Sequence, residues 1–258
     1  MESSHFNHSI LKAFAVLECF TPDKPSWGVR ELAEQMGTNK STTHRLMATL
    51  TSLGALKKDE ETDRYSLGLK LFELGARVDV QKSFIDRTHP VLERVGAEIT
   101  ETVHLGIWQT DKVLMVDRVE SPQGLKLNSS IGRTSPAHCT SLGKVLLSYL
   151  AETDLDDFLN EREFPNYTEH TISTPEALKS ECRKIRQQGY ALDREEKEYG
   201  LICLGVPVFN GANQIVAALS AAGPAQRFKA DMLSHYVNIL QSGARSIRDQ
   251  IGSFHPNP

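Results

Sequence analysis

The chain has 258 residues, 40% of them apolar, which is enough to bury one large core or two modest ones. No apolar run approaches the roughly 18 residues of a membrane span, and the opening MESSHFNHSI lacks a basic stretch followed by an apolar one. Composition therefore points to a soluble, cytoplasmic protein. Taken alone, the net charge of −4 argues against a nucleic-acid binder, but a whole-chain sum hides local patterning. Residues 35–58 carry Lys40, Arg45, Lys57, Lys58 and His44 and contain no Asp or Glu. Cys19, Cys139, Cys182 and Cys203 are widely spaced without a CxxC pair, so free thiols are expected rather than a zinc ribbon or thioredoxin-like site.

In chain order, SILKAFAVLECF (9–20) sets Ile10, Ala13, Phe14 and Leu17 at helical spacing, predicting a first helix buried along that face. Pro22, Pro25 and Gly28 interrupt the chain. VRELAEQM predicts a second helix with Val29, Leu32, Ala33 and Met36 inward, ended by Gly37. Thr38 or Asn39 can cap a third helix whose apolar positions are Leu46, Met47, Leu50 and Leu53, closed by Gly54. Small Ala33 four residues before Gly37 suits the close approach and tight turn of a helix-turn-helix, although that spacing alone also fits an ordinary helical hairpin. The start of the third helix decides between them. Thr38, Asn39, Lys40, Ser41, Thr42, Thr43, His44 and Arg45 are all polar, with hydroxyls, amides and cations suited to phosphates and base edges.

ALKKDEETDRYSLG then predicts two short strands, Ala55–Lys58 and Arg64–Leu67, around an acidic turn: a wing. Arg64 is its candidate DNA contact, whereas Asp59, Glu60, Glu61 and Asp63 repel DNA. Residues 1–67 are thus expected to be a winged helix-turn-helix. One such domain reads only a few base pairs, so double-stranded operator DNA would be bound by a homodimer. Residues 68–82 are expected to be a linker helix. Leu67, Leu71, Leu74 and Val78 recur at helical spacing, and Leu69 and Phe72 add apolar bulk on other faces, as in a helix that packs on its own domain and on a second chain.

Residues 83–258 predict a second domain. Residues 84–101 read as a helix with Val91, Leu92, Val95 and Ile99 inward, followed by a strand pair turning at Thr110-Asp111 and a short strand over Leu125–Ser130. A helix over 141–150 and two more at 154–160 and 175–188 come next. LICLGVPVF and QIVAALSAAG read as strands joined at Asn210-Gly211, and a helix from Lys229 to Ile251 closes the chain. The fold class is α+β: an antiparallel sheet with helices on both sides.

Catalytic motifs of the GxSxG, HExxH, P-loop and GxGxxG types are missing, and no cofactor or metal is expected. His138 and Cys139 are adjacent, so their side chains tend to diverge. A metal-dependent sensor or enzyme built from His138, Cys139, Asp193 and Cys203 is the alternative reading. A ligand site is more attractive. Thr140 or Ser141 opens the helix 141–150, whose first N–H groups could seat a carboxylate. Asp193 could accept from ligand hydroxyls, and Cys203 and Ser220 either face the same cavity or belong to the core.

VRELAEQMGTNKSTTHRLMATLTSLG, YSLGLKLFELGARV, ETVHLGI, SPAHCTSLGKVLLSYL, GYALDREEKEYGLICLGVPVF and IVAALSAAGP together resemble the IclR family of bacterial regulators over nearly the whole chain. KLFELGAR, SSIGRTSP and ETVHLG are most similar to its branch controlling sugar-acid catabolism. The resemblance implies a GAF-like effector domain, a homodimer that often pairs into a homotetramer, and more often a repressor than an activator. It also implies that a small organic acid effector alters operator affinity. Family effector contacts map onto Ser141, Leu142, Asp193, Cys203 and Ser220. Ala222 stands where the family often has a second serine, which disfavours the smallest keto acids and favours a larger, more hydroxylated or partly apolar acid.

Overall fold

A computed structural model describes residues 6–78, 84–123, 130–160 and 162–254. They fall into two compact units, Met1–Val78 and Asp79–Pro258.

In the first unit, helix α1 (His8–Glu18) starts at Asn7, whose side chain accepts the Ser9 and Ile10 N–H groups. Helix α2 (Val29–Gln35) leads through Gly37, at φ +60°, into helix α3 (Lys40–Ser52). Asn39 caps α3 by accepting the Thr42 N–H at 2.8 Å. Strands β1 (Leu56–Lys58) and β2 (Tyr65–Leu67) pair antiparallel as the wing, and Trp27 bridges to Tyr65. Val16, Phe20, Trp27, Leu32, Met47, Leu50, Leu56 and Tyr65 make the core.

The buried face of α1 differs from the expected one. Val16 is buried, with Ala13 and Leu17 packed beside the core, while Ile10 and Phe14 are 56% and 62% exposed. Helix α1 is apolar nearly all round, so more than one stripe fits a helical period. Leu53, expected inside, is likewise exposed. The stretch expected as a linker helix is helical as α4 (Leu69–Gly75), while residues 79–83 lie outside the described part. No residue of α4 is buried, though Leu71 packs against the core.

The second unit is built on a six-stranded antiparallel sheet. Its strands are β3 (Thr102–Gln109), β4 (Lys112–Val119), β5 (Thr134–Pro136), β6 (Ala191–Arg194), β7 (Leu201–Phe209) and β8 (Ile215–Pro224), in spatial order β5-β4-β3-β8-β7-β6. Helices α5 (Asp86–Ile99) and α9 (Ala230–Ile251) cover one face through Leu92, Val95, Leu240 and Ile247. Helix α6 (Ser141–Ser148) packs on the other through Leu142, Val145 and Leu146. Helices α7 (Glu152–Asn160) and α8 (Pro175–Gln188) enclose a smaller cluster with Leu147, Phe158 and Leu178. Val91, Leu92, Val95 and Ile99 are buried as expected. The expected strand over Leu125–Ser130 falls mostly on residues outside the described part. Strands β5 and β6 were not expected, being three and four residues long and carrying Pro136, Asp193 and Arg194.

Helix α6 positions the site, and Gly143 lets it come close. A Cβ there would lie 2.3 Å from the Ala137 Cα and 2.4 Å from its carbonyl oxygen. Gly143→Ala should push the start of α6 off residues 136–137 and destabilise the unit by about 1–3 kcal/mol. Urea midpoints read this directly, and an unchanged midpoint would show that the contact is slack.

Candidate functional site

The first candidate surface is the start of α3. Lys40, Ser41, His44 and Arg45 are exposed on one face and Thr42 is half-buried. Asn39 Oδ1 accepts from the Thr42 N–H and the Ser41 hydroxyl, both at 2.8 Å. Three of the expected contacts, Thr38, Thr43 and Arg64, bond within the unit. Thr43 is fully buried, and its hydroxyl bonds that of Thr38 at 2.7 Å, tying the turn to the helix. Arg64 donates through Nε to Ser26 Oγ (2.9 Å) and through Nη2 to Ser26 O (2.8 Å) and Glu31 Oε2 (3.1 Å). It clamps the wing to α2 while its side chain stays 41% exposed. In the wing turn, Asp63 pairs with Lys58 at 2.7 Å and Asp59 accepts the N–H groups of Glu61 and Thr62.

The second candidate is a cavity of about 420 Å³ between the sheet and α6. Ser141, Leu142, Asp193, Cys203, Ser220 and Ala222 all line it. Strand register explains the gathering. Asp193 on β6 pairs with Cys203 on β7, and Cys203 pairs with Ala222 on β8. Ser220, two residues back and so on the same face, pairs with His104 on β3. The start of α6 closes the cavity. Its cap, Thr140, accepts the Gly143 N–H at 3.2 Å and donates to the Pro136 carbonyl at 2.8 Å. The first-turn N–H groups of a helix have no partner within the helix, so the Ser141–Leu142 edge offers donors and partial positive charge to an anion.

The wall is built of groups kept near neutral by burial. Burial lowers His104 to about 3, helped by the Arg118 charge, so its imidazole is uncharged. Burial likewise holds the Cys203 thiol far above its ordinary value. Asp193 is raised to about 7 by burial, against the pull of the Glu196 N–H that its Oδ1 accepts at 2.8 Å. Behind it, Lys144 of α6 is 1% exposed. Its ammonium donates to the Leu192 carbonyl at 2.5 Å and to the Glu196 carboxylate.

His104, Met115, Arg133 and Lys197 also line the cavity and were not picked out from the sequence. His104 carried a signal: a lone imidazole inside the apolar strand TVHLGI. The four residues of the alternative reading are divided. Asp193 and Cys203 face the cavity, His138 bonds the Pro165 carbonyl at 3.1 Å beside a different cleft, and Cys139 is buried with its thiol pushed up to about 12. Among the described residues, no three His, Cys, Asp or Glu side chains are grouped to hold a metal ion.

A helix-turn-helix unit followed by a sheet domain with a ligand-sized cavity defines a two-part transcription regulator. Residues 9–60 match the IclR helix-turn-helix domain, and residues 77–249 match the family described as bacterial transcriptional regulator IclR C-terminal. The chain belongs to the IclR family. It is 37% identical over 250 residues to the HTH-type transcriptional regulator KdgR of Dickeya chrysanthemi, covering 97% of this chain and 81% of that protein. It is also 37% identical over 251 residues to KdgR of Escherichia coli K12, covering 97% and 94%. The crystal structure of the Thermotoga maritima IclR superposes with a TM-score of 0.72 at 31% identity, covering 95% and 98% of the two chains. These relatives are regulators, and among the described residues no helix is long and apolar enough to cross a membrane.

Asp193 gives this site a pH signature. Its carboxyl is raised on folding from 3.8 to about 7, so the folded chain binds the extra proton and is favoured while the carboxyl stays protonated. That advantage falls as pH rises from about 4 and is gone above about 7. Asp193→Asn retains an oxygen to accept the Glu196 N–H and abolishes the titration. The unfolding free energy of the variant relative to wild type should therefore rise between pH 5 and pH 7 and level off above that, as read by urea denaturation. A difference that does not change with pH would place the Asp193 titration elsewhere.

Proposed function

We propose that the chain is an effector-responsive repressor of a catabolic operon, with the cavity beneath α6 as its effector site and a hydroxylated organic acid of the sugar-acid class as its effector. One observation carries this reading: six residues scattered from Ser141 to Ala222 line one cavity closed by a helix N-terminus. The volume falls within the range of about 300–1,000 Å³ usual for small-molecule sites. The carboxylate is seated at the Ser141–Leu142 edge, with Arg133 on the lining adding positive charge. Ligand hydroxyls meet Ser220, neutral His104 and the Asp193 carboxyl. Ala222 supplies methyl surface where a second hydroxyl would grip a small keto acid, which favours a longer ligand.

Operator DNA is read by Lys40, Ser41, Thr42, His44 and Arg45, with Asn39 fixing the start of the helix. Thr38, Thr43 and Arg64 shape that surface from behind. The working unit is a homodimer. Ile10 and Phe14 of α1 and Leu69 and Phe72 of α4 leave apolar surface uncovered in the single chain, and exposed apolar surface of this kind calls for a partner. The effector acts by preferring one of two dimer states, since a ligand shifts an equilibrium only through differential affinity.

Lys40→Ala and Arg45→Ala should each weaken binding to the chain's own promoter region, measured by fluorescence anisotropy. Each should reduce the slope of log affinity against log salt by about 1. Wild-type affinity in both would remove α3 from the interface. A thermal-shift screen of sugar acids should give stabilising ligands, because binding to the native state raises apparent stability. Ser220→Ala and Asp193→Ala should blunt both that shift and release from DNA, and full responses in both variants would move the effector site elsewhere.

A further inference from the structure

A second cleft of about 550 Å³ opens on the same domain. Four rings lie on its lining: Phe158, Phe164, Tyr167 and the imidazole of His138. The His138 ring lies 5.3 Å from that of Phe164 and 6.1 Å, stacked, from that of Tyr167, while Phe158 and Phe164 are 5.8 Å apart. His138 spends its Nε2 on the Pro165 carbonyl, and burial lowers its pKa, so it presents an uncharged ring.

Charge is placed around these rings. Lys112, Arg162 and Lys197 lie on the lining against Asp111 and Glu163, leaving one positive charge in excess. The Lys197 ammonium sits 3.4 Å above the centre of the Tyr167 ring. Arg162 lies over Phe158, 5.1 Å from the ring centre, and gives one terminal nitrogen to Asp111. Its Nε is buried and has no hydrogen-bond partner among the described residues. The side chain as a whole lines the cleft and is 33% exposed, so its guanidinium stays within reach of an anion there.

We propose that this cleft is a second small-molecule site that takes an aromatic carboxylate, its ring among Phe164, Tyr167 and His138 and its carboxylate on Arg162 and Lys197. The site is separate from the effector cavity, and its existence does not depend on what that cavity binds. The two share a wall, however: β5 and Lys197 line both. Thr140 donates to the Pro136 carbonyl at the end of β5, so this wall is tied to the start of α6.

Benzoate is the probe, titrated into the full-length protein by calorimetry and by saturation-transfer NMR, with phenol and acetate as half-ligands. The expected result is saturable benzoate binding, with phenol and acetate each weaker by about tenfold or more. Arg162→Gln and Tyr167→Ala should each cost about tenfold in benzoate affinity, with the unfolding midpoint read alongside to separate loss of the site from loss of the fold. Ser220→Ala, on the effector cavity, should leave benzoate affinity as it was. The proposal is overturned if benzoate does not saturate in the millimolar range or if both cleft variants bind it as wild type. It is equally overturned if Ser220→Ala abolishes binding while Arg162→Gln does not, since that places benzoate in the effector cavity.

Discussion

Lys144 enters the interior on a helix with every residue buried, and its ammonium is matched by a carbonyl and a carboxylate about fifty positions further along the chain. Desolvating that charge is expensive, so the contact persists only where geometry and hydrogen bonding are good, and breaking such a pair costs about 3–5 kcal/mol. The pairing ties α6 to the end of β6. Glu196 then gives its N–H to Asp193, and its carbonyl accepts the Thr171 hydroxyl at 2.6 Å. The Asp193 carboxyl is thus held in place from behind, across the cavity from the helix start that Gly143 allows to approach. Remove the ammonium and Glu196, already with one buried oxygen lacking a partner among the described residues, loses its counter-charge.

The chemistry of the cavity follows from that frame. Antiparallel register lines up Asp193, Cys203 and Ala222 on adjacent strands, and the two-residue period adds Ser220 and His104 to the same face. Burial strips the imidazole and thiol of charge and leaves Asp193 near the midpoint of its titration at neutral pH. The polar wall can therefore donate and accept hydrogen bonds without a strong field of its own. On the proposed reading, a negative ligand would meet the α6 N-terminus and the lining cations Arg133 and Lys197.

The sequence was informative where one face of one element decided the structure. Helices α5, α8 and α9 and the β3–β4 and β7–β8 hairpins follow from period and turn residues alone. Ser141, Asp193, Cys203 and Ser220 were candidates from pattern, the last two equally readable as core, whereas Leu142 and Ala222 came only with the family resemblance, because register brings these residues together from strands distant in sequence. Lys144 could not be found by pattern: inside LGKVLLSYL it reads as a solvated charge, and only Glu196 and the Leu192 carbonyl explain its burial. The partners of Arg64 were illegible for the same reason, Ser26 and Glu31 lying 38 and 33 residues away. Helix α1 failed differently. Its apolar residues cover more than one stripe, so periodicity shows that a face is buried but not whether its own domain or another chain buries it.

The polar start of α3 shows how the same period should be applied to polar residues. Positions 43, 47 and 50 lie on one side of the helix, and all three are buried. Thr43 is therefore an inner-face residue that satisfies its hydroxyl on Thr38 and on the Asn39 carbonyl. Positions 40, 41, 44, 45 and 48 fall on the opposite side and are exposed. That outer face holds two formal cations, a histidine, a serine and a small Ala48, with no carboxylate on the helix. The acids nearest to it in sequence, in α2 and the wing turn, are partly engaged, Glu31 by Lys24 and Arg64 and Asp63 by Lys58. An overall charge of −4 is thus compatible with a DNA-reading surface, because repulsion acts through the charges near the groove and is screened beyond about 10 Å.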